Sequence, residues 1–111
     1  MDEFQSALYG LLQNKLFAIT TARQQLWKVM TPETEWAIRN ELERGLLEFL
    51  LIEAVMSMLA NSQPLQLPDQ AAVDQLVQTT ANLAHVVQTS ASADVLIGAL
   101  DQAIEAWPIA A

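Results

Sequence analysis

Residues Gly45 to Ala60 read GLLEFLLIEAVMSMLA, and the way this run is buried decides the fold. Its apolar residues recur at steps of three and four, the period of a helix. A membrane span needs about 20 apolar residues with few or no charges. This run has 16 residues and two glutamates, Glu48 and Glu53, so it reads as a buried helix of a bundle. On a helical wheel it carries two apolar stripes. Ile38, Leu42, Gly45, Phe49, Ile52, Met56 and Leu59 form an ordinary core face, with Gly45 allowing a neighbouring helix to approach closely. Trp36, Leu47, Leu51, Ala54 and Met58 lie nearly opposite, diluted in their N-terminal half by Asn40 and Glu43. A surface helix needs only one such stripe. The second predicts a contact on the far side, either with the chain's own helices or with another chain. Glu53 and Glu48 mark the wet flanks between the stripes, and Glu48 is placed to pair with Arg44 four residues earlier.

Upstream, MTPETEW is the clearest punctuation in the chain. Thr31 is a suitable N-cap, Pro32 suits the first helical position, and Glu33 and Glu35 complement the positive helix end. The greasy helix is therefore expected from Pro32 to Ala60, with Asn61 capping its C-terminus. A first helix is expected from Glu3 to Val29. Asp2 and Gln5 form a capping-box pattern at its start, and Phe4, Leu8, Leu11, Leu12, Leu16, Ile19, Ala22, Leu26 and Met30 form its stripe. The turn between these two helices is short and predicts an antiparallel hairpin.

Downstream, NSQPLQLPD is the one linker, with two prolines. A third helix is expected from Asp69 to Thr89, with Val73, Leu76, Val77, Leu83, Ala84 and Val87 inward. TSASAD breaks it, and Ser90 or Ser92 caps a fourth helix that runs to Trp107 before Pro108. Leu96, Ala99, Leu100, Ala103, Ile104 and Trp107 form its stripe. The expected fold is all-α: a four-helix up-down bundle of two long and two shorter helices, forming one domain over residues 1–111.

Composition narrows function by exclusion. Net charge is −8; all five bases lie in the first 44 positions, and seven acids with no base follow Arg44. Phosphate binding draws on Lys and Arg, so nucleic acid is not an expected partner, and neither is an anionic membrane. Cysteine is absent, which removes disulfides, thiolate ligands and cysteine nucleophiles and fits a reducing compartment such as the cytoplasm. The acidic start MDEFQSALYG has no secretory-signal pattern. The single histidine, His85, falls on a polar face with Asp74, Gln78 and Asn82, and there is no Glu-x-x-His, so neither a metal nor another cofactor is expected. No glycine-rich phosphate loop or nucleophile elbow is present, and no catalytic residue is assigned. The reading is a protein–protein interaction module, an adaptor, regulator or accessory subunit. It is expected to be a homodimer that also meets a protein partner, with Trp36, Leu47, Leu51, Ala54 and Met58 as the interface. The runner-up is a carrier or sensor holding an apolar small molecule among Trp27, Trp36, Trp107, Met30, Met56 and Met58.

Overall fold

The first helix begins where the capping box puts it. In a computed structural model describing residues 1–89 and 91–108, Asp2 accepts from the Gln5 amide at 2.7 Å while Gln5 Oε1 accepts from the Asp2 amide at 3.1 Å. The helix α1 spans Glu3–Val29. The next start differs from the sequence reading. Residues 32–34 form a turn, α2 spans Glu35–Ala60, and the N-cap is Thr34 rather than Thr31. Thr34 turns its hydroxyl back to accept from the Thr31 amide at 2.9 Å, so it closes the turn instead of capping the helix. The α2 C-terminus is a Schellman closure around Asn61: Gln63 donates to the Met58 carbonyl at 2.9 Å and Ser62 to Leu59 at 3.2 Å. Ser62 takes the left-handed conformation (φ 53°) usually given to glycine there.

After the linker, Asp69 accepts from the Ala72 amide and starts α3, Gln70–Gln88. Ser92 accepts from the Val95 amide and starts α4, Ala93–Glu105, which ends two residues before Trp107. Ser90, the other candidate cap, lies outside the described residues.

The helices form the expected bundle with alternating directions. Arg23 of α1 reaches Gly45 of α2 alongside Leu100 of α4, while Lys15 meets Glu48 and the Ala106 carbonyl. Thus α4 runs antiparallel to α1 and parallel to α2. The four do not pair simply in chain order. α1 packs on all three others, α4 does likewise, and the backbones of α2 and α3 do not approach each other closely. The helix with the greasy run is therefore not the central one. Gly45 is a point of close approach on α2: a Cβ there would lie 3.2 Å from the Arg23 Cδ and 3.5 Å from Leu100. Arg23 Nε donates to the Leu42 carbonyl at 3.1 Å from that position.

The core is aliphatic. Leu8, Leu12, Ile19 and Leu26 of α1 meet Ile38 and Ile52 of α2, Leu76 and Leu83 of α3, and Leu96 and Leu100 of α4. Val86 and Val55 join it, although the expected stripes omitted them, while Val77 and Ala84 face outward.

Candidate functional site

Two features stand apart from this aliphatic packing: charges inside the bundle and an apolar surface outside it. Lys15 is fully buried in the α1 stripe, between Leu12 and Ile19. Its Nζ donates to Glu48 Oε1 at 3.1 Å and to the carbonyls of Ala106 and Trp107 at 3.3 Å each. An ammonium has three protons, and all three are used. Glu48 is therefore a buried partner of Lys15, not a surface partner of Arg44. Burial pushes the Lys15 ammonium down and the Glu48 carboxyl up, and in each case the opposite charge and the hydrogen bond pull back. The pair ties α1 to α2 and to the segment after α4.

A second cluster joins α2 to α4. Arg44 contacts Glu41 at 3.3 Å and also Asp101. Glu41 is buried and its Oε2 has no hydrogen-bond partner. Burial, followed by the neighbouring Asp101, pushes the Glu41 carboxyl from 4.5 up to about 8, against the pull of Arg44. Between those values the folded chain holds a proton that the unfolded chain releases, so raising the pH through that window lowers stability. The expected result is a higher melting temperature at pH 5 than at pH 8, with a smaller difference in Glu41→Gln. Glu48 acts with the same sign, so the measurement that matters is wild type minus variant in thermal scans at both pH values.

Such clusters perturb carboxyl groups whether or not they do chemistry. Arg44 bridges Glu41 to Asp101 and so links α2 to α4. His85 is exposed on the outer face of α3 with Asp74, Gln78 and Asn82. Among the described residues, no group of three or more His, Asp or Glu side chains is arranged to hold a metal, and no helix is long and apolar enough to cross a membrane.

The outer face of α2 is the surface feature. Trp36 is 78% exposed, Leu47 62% and Leu50 51%, and Leu46 and Ala54 are also exposed beside them. The five residues singled out from sequence divide here. Trp36, Leu47 and Ala54 face solvent. Leu51 is half-buried against the core, and Leu51 and Met58 both border a cavity that the linker residues Leu65 and Leu67 help to enclose. Leu46 and Leu50 take their place in the open patch. The reason is topological: the backbone of α3 does not approach α2 closely, and the linker covers only the C-terminal flank of the helix. Trp27 of α1 is also exposed, but Arg39 stacks over its ring at 5.4 Å and ties it to α2. The tryptophans and methionines suggested as a ligand pocket come together only in part: Trp27 and Trp36 are exposed, Met56 is in the core, Met30 is partly buried against it, and Met58 and Trp107 border the linker cavity.

Comparison with known proteins finds no family model that matches the chain, and no curated protein or solved structure significantly similar to it.

Proposed function

We propose that this chain is a protein–protein interaction module that docks through the outer face of α2, and that it forms a homodimer there. The observation that carries the proposal is the group Trp36, Leu46, Leu47 and Leu50, exposed on one helix with no other helix of the chain over it. Exposed apolar side chains grouped on one helix face, as at Leu46, Leu47 and Leu50, mark association sites. Asn40 and Glu43 lie on the face itself between Trp36 and Leu47, while Arg39 and Glu53 flank it with polar groups.

The spacing of the face favours self-pairing. Trp36, Asn40, Glu43, Leu47, Leu51, Ala54 and Met58 are separated by four, three, four, four, three and four residues, a pattern symmetric about Leu47. A two-fold axis at Leu47, with the two α2 helices antiparallel, brings the two exposed Leu47 side chains together and sets Trp36 toward the end of the second copy's α2 where the linker covers Met58. Parallel pairing would instead bring Glu43 against Glu43, a like-charge contact. In this role the module has no catalytic step. Nucleic acid and lipid surfaces are not partners, since no base follows Arg44. The cysteine-free sequence is consistent with a cytoplasmic setting. A protein partner beyond the second copy would dock on the same face or compete for it.

The chain lacks cysteine, so one introduced thiol reports one contact. Leu47→Cys is expected to oxidise to a disulfide-linked dimer at micromolar concentration. Gln78→Cys, on the outer face of α3, is expected to remain mostly monomeric. Equal cross-linking of the two variants on non-reducing gels would reject the α2 contact.

A further inference from the structure

A groove of about 500 Å³ runs between α1 and α3, away from the α2 face. Buried Ala18 and Leu76 lie at its base, exposed Phe17 and Val77 at its edges. It is open because Ala81 and Ala84 present only methyl groups along α3 where larger side chains would close it. We infer that this groove is a binding site for a slim, uncharged, mostly apolar molecule carrying one hydrogen-bonding group, such as a flat fused-ring ketone or a neutral acyl compound.

Three observations select that class. First, dimensions suit a small molecule. The α1 wall runs from Leu11 to Thr21, which at about 1.5 Å per residue is about 15 Å long. The total volume is within the range of small-molecule sites, about 300–1,000 Å³. Second, no charged side chain lines the groove, although the protein has a net charge of −8. Asn14 and Gln88 bring amide groups to the groove but no formal charge, so an ion of either sign would lose water without meeting a counter-charge. Third, Thr80, on the α3 wall, has a buried hydroxyl without a hydrogen-bond partner. The other hydroxyl in the wall, Thr21, is satisfied by the Ala18 carbonyl at 3.0 Å. An unpaired buried hydroxyl costs free energy, and a ligand carbonyl in the groove that Thr80 lines would accept its proton. Phe17, exposed at the edge, offers a ring face to a flat ligand.

The probe is Nile red, a neutral fused-ring dye with one carbonyl. Titrated into the protein, it is expected to bind saturably at one site per chain, with blue-shifted emission. Ala84→Phe fills the groove from an exposed position and is expected to weaken binding at least tenfold, with unchanged circular dichroism and molar mass. Thr80→Val replaces the unpaired hydroxyl by a methyl of similar shape; the melting temperature is expected to rise while dye affinity falls severalfold. Leu47→Glu, on the α2 face, is expected to leave dye binding intact, which separates this site from the proposed docking surface. Non-saturating binding, full binding by Ala84→Phe, unchanged affinity in Thr80→Val, loss of binding in Leu47→Glu, or a changed molar mass in Ala84→Phe would each overturn the assignment.

Discussion

Lys15→Met is expected to destabilise the bundle by about 3–5 kcal/mol, the usual cost of stranding one partner of a buried ion pair. Methionine fills much of the volume of the lysine stem, so the loss is electrostatic more than steric. It leaves Glu48 buried without its cation and the Ala106 and Trp107 carbonyls without the Nζ protons they accept at 3.3 Å. Glu48→Met alone is expected to cost less, since those two carbonyls still hold the ammonium. The double variant Lys15→Met/Glu48→Met is expected to recover most of the loss, because replacing a buried pair by apolar groups of similar size is often close to neutral. Urea unfolding at a fixed protein concentration gives all three values. A Lys15→Met cost below about 1 kcal/mol would mean that the pair is hydrated in solution.

The same pair shows where the sequence was legible and where it was not. The α1 boundaries, the Asp2–Gln5 box and the Asn61 end were readable, and Ser92 was one of two candidate caps, because each depends on side-chain-to-backbone bonds within a few residues; Asp69 was read as the first residue of α3 and is its cap. Thr31 misled because the preference for proline at the first helical position pointed to it, while Thr34 offers the same side-chain chemistry three residues later and the helix starts there. The buried charges were missed for a different reason. Leu8, Leu12, Lys15, Ile19, Ala22 and Leu26 keep a regular ladder of threes and fours, and so do Ile38, Glu41, Gly45, Glu48, Ile52, Val55 and Leu59. Reading only apolar residues skips Lys15, Glu41 and Glu48. Reading the spacing first exposes them as charges at core positions, each needing a partner. The identity of the partners depends on α4 lying against both α1 and α2, which spacing along one helix does not encode. Topology also decides the docking face. Two stripes on α2 were legible, but which part of the outer one stays open depends on the linker covering Leu51 and Met58. The α1–α3 groove had no sequence signal beyond small residues on α3, because a groove is a property of two helices together.

The second large effect belongs to Leu47. It lies at the centre of the symmetric spacing and is 62% exposed, so changing it tests association with little disturbance of the core. Leu51 is a poorer position, since it packs against the core and its loss would mix folding with docking. At a two-fold axis Leu47→Glu sets two carboxylates against each other in a contact that excludes water. The expected penalty is several kcal/mol, or a dissociation constant raised by more than about a hundredfold. The far-ultraviolet circular dichroism is expected to match wild type, because Ile38, Ile52 and Leu59 on the opposite face remain in place. Sedimentation equilibrium of wild type and Leu47→Glu at micromolar concentration is the most direct measurement. A mass twice 12.2 kDa for the wild type, falling to 12.2 kDa in a fully helical variant, is the predicted result. A monomeric wild type, or a variant that remains dimeric, would contradict the proposal that the outer face of α2 joins two copies of the chain.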